Sequence, residues 1–339
     1  MKNVFQLSAI AAALLIAAGG AQAGTVIYNT GVAATASIAL GVNDDGSLNT
    51  SPNITSNASA TGLAKKFADG SWRDATAPGC LCEGWGVSVN NTTSGWANVD
   101  DGGPSNLTFA AATGVSGSTV TTTTSLTSLP GVSVVHAYSP AENAPGALFK
   151  SVVTITNGSD TALTDVKYVR VMDWDVPPTE FSEYVTIKGT ATTTLLEKSH
   201  LNGFDTSNPL NTSCDASGCG YGGVDIDVTD AGPTDHGAYF RFNFGSLAPN
   251  ASYSFTIFYG AADSESAALA AIGAESIELY SLGQQNGDPT GGTPATFIFG
   301  FSGVGGTPQE NGVPEPASLA LLGIGLAGLG AMRRRKQAA

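Results

Sequence analysis

The sequence predicts an all-β fold, a β-sandwich of antiparallel strands (immunoglobulin-like or larger) with one helix near the end of its body. Three observations lead there. Charged residues make up only 12% of the 339-residue chain, while 43 glycines are spread along it. Val, Ile, Phe, Tyr and Trp recur in short runs with period-two alternation, which puts successive side chains on opposite faces of a strand. Gly, Asn, Asp and Pro punctuate these runs as turn residues do. A barrel is the alternative closure of the same strands, and no constant-period repeat points to a solenoid.

The first 23 residues read as an export leader. Lys2 gives a short positive start, Leu7 to Ala18 is uncharged and apolar, and Ala21-Gln22-Ala23 places small residues where a leader peptidase reads. Cleavage is expected between Ala23 and Gly24. The apolar run is short for a helix that spans a bilayer.

Residues 24–301 form the body, one large domain or two smaller ones. In Tyr239 to Phe244, the phenylalanines share one face while Tyr239, Arg241 and Asn243 share the other. A turn at Ala248-Pro249-Asn250 leads to a second run in which Tyr253, Phe255, Ile257 and Tyr259 face one way, so the pair reads as a β-hairpin. Leu148 to Thr156 and Thr164 to Met172, around Asn157-Gly158-Ser159-Asp160, read as another. The wording of this second pair resembles strand pairs of immunoglobulin-like bacterial surface domains. Ser264 to Leu282, rich in Ala, Leu and Glu, predicts the helix, with Asp263 or Ser264 as cap and Leu269, Ile272 and Leu279 as its buried stripe. Residues 302–312 are Gly-, Pro- and polar-rich and are expected to be a flexible linker.

Residues 313–336 carry the most specific pattern. Val313-Pro314-Glu315-Pro316 precedes an apolar run from Ala317 to Met332, and Arg333-Arg334-Arg335-Lys336 follows. The prolines lack amide donors and disfavour helix in the residue before them, so the motif should be extended and open to an enzyme. Sixteen apolar residues make a helix of about 24 Å, which reaches across a bilayer core with snorkelling of the arginines or local thinning. The basic cluster would hold its end on the cytoplasmic side.

This tail resembles the PEP-CTERM sorting signal. The resemblance implies that, once signal peptidase has removed the leader and the tail sits in the inner membrane, an exosortase processes the tail and the protein is released or attached at the cell surface. It further implies association with exopolysaccharide and biofilm in Gram-negative bacteria. It covers only the tail and implies nothing about the body's activity, for which a non-catalytic surface or matrix role is the leading expectation.

The net charge is −14, and Lys2, Arg333, Arg334, Arg335 and Lys336 lie at the ends, so the body is more acidic still. Such a body repels phosphate backbones, which excludes nucleic acid as a partner. Four cysteines form two close pairs, Cys80/Cys82 and Cys214/Cys219. Export makes disulfides the default. Cross-links between the pairs are slightly favoured over links within them, because Cys80 and Cys82 are so near in sequence.

The segment Arg170 to Pro178 is the most suggestive for chemistry. Asp173 and Asp175 fall on one face of a strand end and Trp174 on the other. Two such carboxylates can hold Ca²⁺ or act as acid and base, and Trp174 can stack on a sugar. The plainer reading pairs Asp173 with Arg170, uses Asp175 as a turn cap, and buries Trp174. No catalytic motif, phosphate loop or dinucleotide fingerprint is present, so no enzyme and no organic cofactor are expected. The alternatives are a calcium- or carbohydrate-binding module and a secreted hydrolase.

Overall fold

A computed structural model describes residues 24–309 of the chain. The leader, the Pro314-Glu315-Pro316 motif, the apolar run and the basic cluster lie outside the described residues. Among the described residues no helix is long and apolar enough to cross a membrane.

The body is mostly antiparallel β. Strands β1 (Thr25–Tyr28), β2 (Ile38–Val42), β3 (Leu63–Lys66) and β4 (Trp72–Asp74) form a sheet in chain order. Next come β5 (Gly84–Val89), β6 (Thr93–Asn98), β7 (Leu107–Phe109), β8 (Val120–Leu126), β9 (Leu129–Pro140), β10 (Leu148–Asn157) and β11 (Lys167–Trp174). The rest are β12 (Glu183–Lys188), β13 (Leu196–His200), β14 (Val228–Thr234), β15 (His236–Asn243), β16 (Ser252–Ala262), the helix α1 (Glu265–Ala274), β17 (Leu279–Gln285) and β18 (Thr296–Ser302). A nine-stranded sheet runs β14-β12-β17-β18-β16-β10-β9-β8-β7, and a five-stranded one β13-β15-β11-β5-β6.

The two larger sheets meet through aromatic rings. Phe240 and Phe242 of β15 contact Phe299 and Phe301 of β18 and Phe255 of β16, with centroids 4.8 to 6.3 Å apart. The expected faces are therefore correct: Phe240 and Phe242 point to this core, and Tyr239 lies on the opposite side of the strand with Val169 and Val171. Full burial of each such ring stabilises by about 1.5–3 kcal/mol.

The pairing of those strands differs from expectation. β15 bonds to β11 and β13, whereas β16 bonds to β10 and β18. β10 and β11 likewise belong to different sheets. Neither expected hairpin forms; each turn carries the chain across the core from one sheet to the other. The two crossings are stitched together. Leu163 and Leu247 form an isolated antiparallel bridge, and the buried Asn157 amide donates to the carbonyls of Thr161, Leu247 and Ala248. Long-range pairing thus overrides a local pattern that turn residues alone cannot decide.

The helix is shorter than expected. Ser264 caps it, its Oγ accepting from the Ala267 amide. It ends at Ala274, and Ser276 takes a left-handed φ of 54°. Ile272 is buried as expected, but Leu279 is the first residue of β17, bonded on both edges between β12 and β18. Two open ladders outweigh helix propensity there. The expected linker is also tied down in its first part. Glu278 accepts from the amides of Gly303, Val304 and Gly306, Val304 is buried, and the Gln309 amide donates to the Ile277 carbonyl.

The cysteines pair within, not between, the two groups: Cys80 with Cys82 (Cα–Cα 5.3 Å) and Cys214 with Cys219 (4.7 Å). The cross-linked alternative is wrong: each pair closes its own local loop, with sequence separations of 2 and 5.

Candidate functional site

Two chain crossings place the acidic cluster. β11 ends in the five-stranded sheet, and the chain then passes through Asp175 to β12 at the far end of the nine-stranded sheet. Asp235 is the single residue between β14 of the nine-stranded sheet and β15 of the five-stranded one. Register aligns the two crossings, since Trp174 pairs with His236 and Glu183 with Thr234. Asp173, Asp175, Asp235 and Glu183 therefore converge at this corner from three separate stretches of chain.

Alternation along β11 holds as expected, with different partners. Trp174 is fully buried, its indole N–H donating to Ser281 Oγ at 3.0 Å. A side chain on Gly283 would press to 2.7 Å from the Trp174 ring, so close packing requires glycine there. Trp174 is thus a core residue and cannot stack on a sugar. Arg170 points into the main core and pairs with Glu83, not Asp173, at 2.5 Å, both side chains fully buried. Glu83, two residues from the buried Trp85, is used up in this interior ion pair.

Asp173 and Asp175 lie on the opposite side from Trp174. One carboxylate oxygen from each of Asp173, Asp175 and Asp235 lies within 4.8 Å of the others. Asp173 is 1% exposed and Asp175 0%. Both carboxylate oxygens of Asp175 and the Oδ1 atoms of Asp173 and Asp235 accept no hydrogen bond among the described residues, and neither does Glu183 Oε2. Asp173 Oδ2 is 3.3 Å from Cys80 Sγ. A disulfide sulfur carries no proton, so this contact bonds only when Asp173 holds the proton itself.

Burial and mutual repulsion penalise the charged forms. Asp173 is held well above the usual carboxylate range by burial, then by Asp235 and Glu183. Asp175 is pushed up to about 10 by burial, then by Asp173, Glu183, Asp235 and Asp74. Burial also raises Glu183 and Asp235, with His236 opposing both. Glu183 Oε1 accepts from the His236 amide at 3.0 Å. Both ring nitrogens of His236 face carbonyl oxygens, of Thr234 at 2.8 Å and Ala231 at 2.9 Å, and carbonyls only accept. Both ring nitrogens are thus committed to backbone carbonyls.

Aromatic side chains rim this corner. Among the described residues, Phe181 at 50%, Phe204 at 38% and Tyr221 at 38% are the exposed large aromatics. Phe204 follows Gly203, whose backbone lies so close to Asp173 that an added Cβ would come within 2.9 Å of Oδ1. The Tyr221 hydroxyl is raised by burial, then by Asp235 and Asp173, and its ring is 5.7 Å from that of Phe204. Phe181 covers Gly79, next to Cys80, and holds a left-handed φ of 68°, a strained backbone for a bulky residue.

Of the expected residues, the structure thus joins Asp173 and Asp175 and sets the Cys80–Cys82 disulfide against them. Cys214–Cys219 closes a separate loop. Asp235, Glu183 and the three aromatics were missed. The run Thr234-Asp235-His236 between two strand patterns was the available signal for a corner. The aspartates of the Gly222 to Asp230 stretch lie elsewhere: Asp225 bonds to Lys198 and Asp227 to Thr190 on the surface.

Comparison with known proteins finds the PEP-CTERM protein-sorting motif at residues 312–336. No match to the chain was found among curated proteins.

Proposed function

We propose, taking the chain as an exported substrate of an exosortase system by its PEP-CTERM tail, that the body is a non-catalytic protein of the cell surface or extracellular matrix, associated with exopolysaccharide. The sorting motif at 312–336 carries this reading: it begins three residues after the last described residue of the folded body, Gln309. A leader cut between Ala23 and Gly24, transient residence in the inner membrane, and processing near Pro314-Glu315-Pro316 complete the route. The disulfides within Cys80/Cys82 and Cys214/Cys219 suit an oxidising exterior. Against a hydrolase stands the burial of Asp175, which puts that carboxylate out of reach of a polymer bond. The β-rich body reads as a sandwich-type scaffold, its two larger sheets sharing one aromatic core.

The test is fractionation of cells expressing wild type and a Pro314→Ala/Glu315→Ala/Pro316→Ala variant. Wild type should reach the exterior with a shortened C-terminus, and the variant should stay in the membrane with its tail uncut. Equal distribution of the two would sink the sorting role of the motif.

One observation favours a second reading, a carbohydrate-binding module. The exposed aromatics Phe181, Phe204 and Tyr221 cluster at one corner, where rings can stack on sugar faces and carboxylates accept hydroxyl donors. Retention on immobilised exopolysaccharide should weaken in Phe204→Ala and Tyr221→Ala. Retention unchanged in both variants would remove this reading.

A further inference from the structure

We propose that Asp173, Asp175 and Asp235 bind one Ca²⁺ ion that locks the corner where the two larger sheets exchange strands, with Glu183 adding charge beside it. Three independent observations carry this.

The first is geometry. Oxygens that lie within 4.8 Å of one another can all reach a single ion at the ~2.3–2.6 Å of Ca²⁺–oxygen bonds. The second is the set of orphaned acceptors. Asp175 is wholly buried with both oxygens unpartnered among the described residues, and the Oδ1 atoms of Asp173 and Asp235 are unpartnered too. Buried carboxylates normally find a donor, a cation or a metal. The third is a charge inventory. All nine Lys and Arg side chains of the described body bond elsewhere: Lys66 to backbone carbonyls, Lys188 to the Thr229 hydroxyl, and the other seven in ion pairs with other carboxylates. No Lys or Arg is left for Asp173, Asp175 and Asp235.

The donor set selects the ion. It is all oxygen, because the His236 nitrogens are committed to carbonyls and the nearest sulfurs are joined in the Cys80–Cys82 disulfide, with no thiolate to offer. Soft and borderline metals such as Cu or Zn therefore lose their preferred ligands. Mg²⁺ keeps several waters and takes one or two carboxylates in strict octahedral geometry, which suits a sealed three-carboxylate corner less well than Ca²⁺ does. Half-exposed Asp235 gives the ion its way in. The inference rests on the exported location only for the supply of Ca²⁺.

The test is thermal unfolding of the purified full chain after chelator treatment, with and without added CaCl₂, beside calorimetric titration of CaCl₂. At Ca²⁺ about 100-fold above its dissociation constant, the midpoint should rise by roughly 4–8 °C. Asp235→Asn, at the exposed lip, should unfold near the wild-type midpoint in chelator and lose most of the Ca²⁺ shift. Asp175→Asn should lose it as well, with a midpoint in chelator no lower than wild type. No heat of binding and no shift in folded wild type would overturn the proposal, as would a full shift in Asp235→Asn. An equal shift with MgCl₂ would overturn the choice of ion. Zn²⁺ binding that needs prior reduction of the disulfides, in place of a Ca²⁺ shift, would move the site to Cys80 and Cys82. Cell fractionation is independent of all these readouts, so failure of the sorting reading would be seen separately.

Discussion

Arg170 occupies an inward position of β11 where an apolar side chain would be expected, and Glu83 makes that tolerable. The guanidinium lies 5.4 Å from the Tyr259 ring and donates to Glu83 and the Gly46 carbonyl. Glu83 also accepts from the Leu48 amide at 2.7 Å, tying the β2–β3 connection to this core. Burial raises the Glu83 carboxyl, with Arg170 as the main opposing influence. Removing one member of a buried pair strands the other, at about 3–5 kcal/mol. Arg170→Met alone should lose about that much in urea unfolding. Arg170→Met/Glu83→Gln should lose clearly less than the sum of the two single changes, because neither charge is left alone.

Asp74 gives a pH signature at the same scale. It is fully buried, accepts from the Thr76 and Gly62 amides, and is raised from 3.8 to about 6 by burial. Its folded value lies above its unfolded one, so its favourable contribution is complete below about pH 4. That contribution falls away as pH rises to about 6 and then stays level. A shift of that size corresponds to about 3 kcal/mol. Midpoints recorded from pH 4 to 7 should fall for wild type and fall less for Asp74→Asn, whose side chain does not titrate. Parallel curves would show that Asp74 is not the group responsible.

At the scale of elements, Asn157 holds the two crossings in place. It is buried, its amide spans to carbonyls 90 and 91 residues away, and its Oδ1 accepts from the Ser159 amide and hydroxyl. Asn157→Ala strands several of those groups and should cost roughly 2–4 kcal/mol in equilibrium unfolding. Asn157→Asp loses the donors and should fare no better. A loss under about 0.5 kcal/mol would mean that the crossings hold without it. The same residue explains what could be read in advance. The faces of Phe240/Phe242 and of Phe255/Ile257/Tyr259 were legible, because alternation is local. Their partners were not, because Asn157-Gly158-Ser159-Asp160 and Ala248-Pro249-Asn250 turn a hairpin or a crossing equally well. The end of α1 was misjudged for a related reason: Leu279 fits a helical stripe, and only β12 and β18 make it a strand residue.

At the scale of the whole molecule, local signals and distant ones part company. The tail motif is contiguous and was fully legible. The Asp173/Asp175 pair was legible as two carboxylates on one face. Asp235 and Glu183 reach the corner only because two connections cross between sheets there, which no window of sequence contains. The disulfides were misassigned because sequence spacing measures separation along the chain, and local loops set the pairing. The body has nine Lys and Arg side chains, all engaged elsewhere, and an acidic corner with none of them. The protein thus combines a tail that directs its sorting with a body built for the exterior.

The most direct measurement is the non-reducing intact and peptide mass of the protein recovered from the cell exterior. We expect an N-terminus at Gly24, loss of the apolar segment from Ala317 to Met332, and disulfide-linked peptides joining Cys80 to Cys82 and Cys214 to Cys219. A full-length chain with leader and tail uncut and all four thiols free, found only inside the cell, would contradict it.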